Sequence, residues 1–465
     1  MGIKAAYMVP HPPLIVPDVG RGGEEQIIPT TKAYERVAED IAGQTPDTIV
    51  IISPHSVMYA DYFHISPGEH AHGDLGRFGA PQVSFDEEYD KEFVEELGKL
   101  LKRNGFPGGT SGQREKELDH GTMVPLYFIR KKYRKGRIIR IGLSGLSLPD
   151  HYKLGMYIRE TAEKLGRDTV IVASGDLSHK LKDDGPYGFA PAGPVYDKMI
   201  MEAAEKADFG GMLVFDEDLL DKAAECGHRS FVIMAGTLDG VDVKSEVLSH
   251  QDVTGVGYGV SIFEPGKANE DRRFLKIMEE RVKEKALAAS PYVRLARETI
   301  ERFVRTGKKL RFPDDLSKDL PGKLPSEATS GRAGAFVSVH KNGMLRGCIG
   351  TIGPVRENIA EEIICNAISA VSKDPRFDPV REDELGLLEI KVDILGEPED
   401  ISGPAELDVK RYGVIVSCGS RRGLLLPDLE GVDTVEEQID IARRKGGIAP
   451  SDDYRLQRFE VVRYK

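Results

Sequence analysis

Short apolar runs and longer amphipathic stretches alternate through the first part of the chain. "KAAYMV" at 4–9, "TIVIIS" at 48–53, "RIIRIGLS" at 137–144 and "TVIVAS" at 169–174 read as strands. "EYDKEFVEELGKLLKRNG" and "HYKLGMYIRETAEKLG" carry apolar residues at helical spacing and stop at glycine, which predicts helices. This alternation predicts an α/β fold, a mostly parallel sheet flanked by helices. "GVGYGVSIFEPG" predicts a closing strand before a polar break.

The pattern changes after Lys267. A charged helical stretch, "EDRRFLKIMEERVKEKALAASPYVRLARETIERFV", leads into the Pro-, Gly- and Ser-rich passage "LPGKLPSEATSGRAG". Two β-like runs then flank a turn at Asn342-Gly343 in "GAFVSVHKNGMLRGCIGTIG", the signature of a hairpin. We therefore expect a first domain over 1–265, a helical linker over 266–284 and a smaller α+β domain over 285–465. A chain of 465 residues exceeds what a single core usually organises, which agrees with two domains.

Composition narrows the function classes. With 64 Lys plus Arg against 76 Asp plus Glu, the formal charge of -12 argues against a broad phosphate-binding surface, so nucleic acid is not an expected partner. No span is long enough for a membrane helix, the first residues lack the apolar region of a secretory signal, and Ala6 stands where a myristoylation signal needs Ser or Thr. The expectation is a cytoplasmic protein. Its four cysteines, Cys226, Cys348, Cys365 and Cys418, lack zinc-ribbon or disulfide-framework spacing and read as reduced thiols.

Three histidines stand just past strand ends: His11 after "AAYMVP", His55 after "TIVIISP", and His179 after "TVIVASGDLS". In open α/β sheets ligands bind beyond the carboxyl ends of the strands, so these imidazoles can converge on one pocket. Neutral imidazole is a common metal ligand, and the prolines beside His11 and His55 restrict the loops that carry them. The segment "AECGHRSF" offers a third ligand. Glu225 would complete a two-His, one-carboxylate arrangement suited to Fe(II), Cys226 a softer site, and His228 a more zinc-like one, in that order of preference. His120, in "ELDHGTMVPLYF", reads either as a helix-start residue or as part of the site. His64, His70 and His72 read as solvated loop residues. Asp176 reads as a turn-former or as an orienting partner for His179.

The carriers "PHPP", "SPHS", "LDHGTMVPL", "SGDLSH" and "GVGYGV" together resemble the class III extradiol dioxygenase superfamily, called LigB-like, and its Memo-like relatives, over about residues 1–265. That resemblance implies His11 and His55 as iron ligands, His179 as the acid/base beside bound substrate, and His120 as a contact to substrate or dioxygen. Extradiol enzymes would match Glu225 as the third ligand, whereas Memo-like proteins would match Cys226. "LRGCIGTIG", "DPRFDPV" and "GLLLPDL" resemble the AMMECR family over about residues 285–465. A fusion of the two resembles the AmmeMemoRadiSam system, which implies a radical S-adenosylmethionine protein as partner.

In the second domain, Cys348 reads either as a small buried hydrophobe or as a reactive thiol lowered by Arg346, which alternation in a strand would place on the same face. Arg376 reads as a carboxylate-binding group or as the partner of Asp374 or Asp378. The leading expectation is an Fe(II)-dependent oxygenase acting with O₂ on a catechol-like aromatic. The alternatives are a Memo-like scaffold that binds metal or ligand without turnover, and a zinc-dependent hydrolase.

Overall fold

The computed structural model describes residues 2–112, 117–316, 320, 324–341, 344–429 and 431–465, and it divides into two compact units, 1–277 and 278–465. The first unit is built on a six-stranded sheet: β1 (Gly2–Val9), β2 (Thr48–Ser53), β3 (Arg137–Gly142), β4 (Asp168–Ser174), β5 (Val241–Gln251) and β6 (Tyr258–Ala268). In space the order is β3-β2-β4-β1-β6-β5. The first four pair in parallel, and β6 and β5 extend the sheet antiparallel to their inner neighbours.

Burial explains the strand pattern. All six residues of β2 are buried, as are the last six of β4, because helices cover both faces of the sheet. Helices Ile28–Gln44 and His120–Lys132 pack together with one face, while Leu148–Leu165 packs with Lys91–Arg103 and His228–Thr237. Each fully buried Val or Ile in these strands contributes about 1.5–3 kcal/mol. Helix Leu148–Leu165 starts at a capping box between Ser147 and Asp150 and stops at Gly166, whose φ of 63° is the left-handed conformation glycine adopts without strain.

The order of strands decides where the chemistry sits. Because β4 lies between β1 and β2, the loops leaving the carboxyl ends of these three strands are neighbours, although they begin at residues 10, 54 and 175. These loops carry His11, His55 and His179.

The closing strand runs through Ala268, and the charged segment is helical from Phe274 to Ala288, followed by a second helix over Pro291–Thr306. The second unit holds a seven-stranded antiparallel sheet: β7 (Ala335–Lys341), β8 (Met344–Gly350), β9 (Leu388–Leu395), β10 (Glu399–Ile401), β11 (Tyr412–Cys418), β12 (Arg421–Leu425) and β13 (Arg455–Tyr464). The order is β8-β7-β9-β13-β11-β12, with β10 also on β13. Helices Pro291–Thr306 and Ile359–Ser372 bury its apolar face, and Val435–Lys445 covers β11 and β12. The expected hairpin strands pair, while the Asn342-Gly343 turn lies outside the described residues. No helix among the described residues is long and apolar enough to cross a membrane.

Candidate functional site

Strand-end serines anchor the first two histidines. Ser174, the last residue of β4, places its Oγ 2.9 Å from His11 Nδ1, which leaves Nε2 facing the site. Ser53, the last residue of β2, accepts the backbone N–H of His55 at 3.2 Å and donates to Asp119 at 2.5 Å. His11 Nε2 then stands 2.9 Å from His55 Nε2 and 3.6 Å from Cys226 Sγ.

These three atoms lie within 4.8 Å of one another, and both separations from His11 fall within the reach of one ion. Metal bonds of about 2.0–2.1 Å to nitrogen and about 2.3 Å to sulfur allow donor separations up to roughly 4.2 Å for two nitrogens and roughly 4.4 Å for nitrogen and sulfur. Burial lowers the pKa of His11 and His55, so two neutral imidazoles and a thiol crowd together, and a bound cation relieves that crowding. Burial, with the nearby Asp176 and Glu225, pushes the Cys226 thiol up. A coordinated metal reverses that preference, since it deprotonates a thiol ligand outright.

Glu225, expected ahead of Cys226 as third ligand, is not in this group. Its Oε2 accepts the backbone N–H of His228 at 2.6 Å, at the amino end of helix His228–Thr237, where free N–H groups favour a carboxylate. Burial nevertheless raises its pKa to about 7. His228 is also withdrawn: its Nε2 donates to Met212 O at 2.9 Å, and burial holds it down at about 4. The placement of Cys226 beside His11 depends on a contact between two turns. A Cβ at Gly175 would lie 2.1 Å from Gly227 Cα, so only glycine lets the "SGD" turn meet the "CGH" turn this closely. That approach brings Asp176 N–H to Cys226 Sγ at 3.3 Å.

A second group shares the thiol. Donor atoms of Asp176, His179 and Cys226 lie within 4.8 Å of one another. Asp176 Oδ1 accepts the His11 N–H at 2.8 Å, and burial raises its carboxyl to about 7. His179 Nδ1 donates to the Ala224 carbonyl, so its Nε2 carries the lone pair. Burial lowers its pKa, which keeps it neutral. His120 opens helix His120–Lys132 behind the N-cap Asp119 and stacks on His55 with ring centres 4.0 Å apart. Burial and His55 push it down to about 4. His64 is buried against the Ser111 carbonyl rather than solvated, while His70 and His72 are exposed.

Aromatic side chains form part of the rim. Phe78 meets His120 edge-on at 5.4 Å, and Tyr187 meets His179 at 5.0 Å. Both are exposed. A cavity of about 920 Å³ lies instead at the amino ends of the strands, against Asp47, Arg137 and Arg167, far from these loops along the sheet. Part of its charged lining is paired, Arg130 with Glu87 and Arg137 with Glu88, and none of the site histidines nor Cys226 lines it.

In the second unit the expected Cys348–Arg346 pair does not form. The β7–β8 register shifts so that Val339 faces Gly347 and His340 faces Leu345, which leaves Arg346 as the extra residue of a bulge. It forks onto Glu384 at 3.1 Å through both Nε and a terminal nitrogen. Burial pushes the Cys348 thiol up, and the cation beside it is Arg376, which is held by Asp374.

The model of the family described as "Catalytic LigB subunit of aromatic ring-opening dioxygenase" matches residues 5–261. The chain belongs to the LigB family. A model of the AMMECR1 family matches residues 293–465, so a LigB domain and an AMMECR1 domain share one chain. Protein CA_C1420 of Clostridium acetobutylicum is 42% identical over all of both chains, which extends the two-domain arrangement to that relative. A protein of Thermotoga maritima is 53% identical over 38% of this chain and 97% of its own. The solved structure of protein PH0010 from Pyrococcus horikoshii is 34% identical over 37% of this chain and 88% of its own, with a TM-score of 0.33. The LigB domain thus carries a candidate metal site made of His, Cys and Asp side chains.

Proposed function

We propose that the LigB domain is a metal-dependent oxygenase that opens an aromatic ring bearing adjacent hydroxyl groups, using O₂. The observation that carries this reading is the convergence of His11, His55 and Cys226 donor atoms beside the open Nε2 of His179. The ion, iron(II) on this reading, would supply Lewis acidity and one-electron chemistry. His11 and His55 would hold it through nitrogen and Cys226 through sulfur. His179 accepts the proton of a substrate hydroxyl at Nε2, because Nδ1 is committed to the Ala224 carbonyl. His120, neutral and stacked on His55, offers a hydrogen bond to substrate or dioxygen. Asp176 orients the His11 loop through its backbone N–H.

Cys226 in place of a carboxylate supports a second reading, in which a thiophilic ion such as zinc is held without turnover or activates water. Elemental analysis after anaerobic purification and reconstitution, followed by oxygen uptake on catechols, separates the two. The oxygenase reading expects iron occupancy and uptake. His179→Ala should keep the metal and lose about 10²–10⁴-fold in turnover. Zinc occupancy without oxygen uptake favours the second reading. We further propose that the full chain works with a radical S-adenosylmethionine protein in the cytoplasm, which co-purification from the native cell tests.

A further inference from the structure

The AMMECR1 domain's sheet turns Val337, Val339, Ile390 and Val392 toward its helices. Its opposite face carries an apolar cluster of Leu395, Ile415, Leu424 and Phe459 against which Phe336 packs, and polar side chains beyond it. There Ser338 stands across from Cys348 on one side and Lys391 on the other, and the next row holds Phe336, Asp393 and Arg463. Cys348 Sγ lies 3.1 Å from Ser338 Oγ. His340, two residues along the same strand, keeps a buried Nδ1 without a hydrogen-bond partner among the described residues.

Charge on this face leans positive: Lys391, Lys445, Arg376 and Arg463 stand against Asp374, Asp393 and Glu389, which lies across from His340. Asp374 is engaged by Arg376 at 2.9 and 2.7 Å, and Asp393 by Arg463 at 2.9 and 3.3 Å. Lys391 and Lys445 have no hydrogen bond or ion pair among the described residues. Lys445, the last residue of helix Val435–Lys445, acts electrostatically on both Cys348 and Arg376, and Arg463 acts on Cys348 as well. Lys391 therefore stands beside Ser338 in the strand register and acts on His340, while Lys445 acts on Cys348.

We propose that this face binds a phosphate group through Ser338, Cys348, Lys391 and Lys445, with His340 at its edge. A phosphate presents three terminal oxygens and up to two charges, which matches donors arriving from several strands and a helix end. A carboxylate presents only two oxygens in one plane. Burial keeps the Cys348 thiol protonated, so it acts as a neutral donor beside the anion and not as a nucleophile. That role for Cys348 differs from both an inert hydrophobe and a reactive thiol.

Equilibrium dialysis of the full chain against radiolabelled inorganic phosphate tests this. A single saturable site is expected, weakened at least about tenfold in the Lys391→Gln, Lys445→Gln double variant. Acetate at matched ionic strength should not compete. Alkylation by N-ethylmaleimide, read peptide by peptide, should slow at Cys348 in phosphate relative to chloride and stay unchanged at Cys365 and Cys418. Undiminished phosphate binding in the double variant, or in Ser338→Ala combined with it, overturns the site. Equal competition by acetate overturns the phosphate assignment, and equal slowing at all three cysteines shows a general salt effect.

Discussion

Cys226 and Cys348 are both pushed toward the protonated form by burial, yet they keep opposite company. Around Cys226 stand two neutral imidazoles and the carboxyls of Asp176 and Glu225. Around Cys348 stand Arg376, Lys445 and Arg463, with their acids Asp374 and Asp393 already paired. A thiol among lone pairs and carboxyls suits a cation. A thiol among ammonium and guanidinium groups suits an anion. The same residue type thus suits ligands of opposite charge, and the fixed charges around each thiol decide which.

Metal loading gives the largest expected contrast between the two thiols. His11→Ala, His55→Ala or Cys226→Ser should lower metal affinity by more than about 100-fold, measured by elemental analysis after anaerobic reconstitution, because each removes a proposed direct ligand where even outer partners cost about 10–100-fold. Cys348→Ser should load normally. Glu225→Gln should load normally too, since that carboxylate serves the helix end of His228. If Glu225→Gln abolished loading while Cys226→Ser kept it, the third ligand would be the carboxylate and the contrast between the two cysteines would collapse.

Acid stability tests the electrostatics of the second unit. Burial by itself raises the Glu384 carboxyl, but hydrogen bonds from Arg346 and the Arg381 N–H, with the charge of Lys341, outweigh it and hold the group at about 2. A folded-state value below the ordinary 4.5 means that the stabilisation is fully present above 4.5 and is lost as pH falls toward 2. At about 1.4 kcal/mol per unit, the shift is worth about 3 kcal/mol. Glu384→Gln should therefore destabilise the AMMECR1 domain near neutrality and flatten its acid limb, followed by denaturant melts of the full chain between pH 7 and pH 3. A variant as stable as the parent at pH 7 would show that Arg346 and Lys341 gain nothing from this carboxylate.

Much of this arrangement was legible from the sequence, and the exceptions share a cause. β1, β2, β3 and β4 are largely apolar runs because helices bury both faces, and such runs are visible without knowing the partners. His11, His55 and His179 were legible for the same reason, as each follows one of those runs. β5 was not, because "VDVKSEVLSHQ" lies at the sheet edge, mostly unburied, and its composition is that of a surface segment. The choice between Glu225 and Cys226 was not legible, because the directions of these two adjacent residues are set by the contact of Gly175 with Gly227, about fifty positions apart in the chain. Arg346 was misplaced because a bulge breaks the alternation on which the shared face depended. Ser53 and Ser174 carried a readable signal, since each closes an apolar strand immediately before a histidine loop or opposite one.

The smallest expected effect concerns the rim of the LigB site, where only van der Waals and ring contacts act. Tyr187 lies edge-on to His179 with ring centres 5.0 Å apart and is 56% exposed, so it can swing or pack without disturbing the core. Phe78 stands in the same relation to His120 at 5.4 Å. An aromatic substrate entering between them gains ring contacts of about 0.5–1.5 kcal/mol with each, which corresponds to roughly a two- to twelvefold change in binding. Neither side chain donates a proton or a ligand atom to the group formed by His11, His55 and Cys226. Tyr187→Ala and Phe78→Ala should therefore raise KM for a catechol by that factor while kcat and metal content stay near those of the parent, and Tyr187→Phe should behave as the parent does. A fall in kcat at constant KM would place Tyr187 in the proton-handling machinery with His179. That result would move a charge-bearing role onto the rim and make the site's chemistry depend on more than its buried imidazoles and thiol.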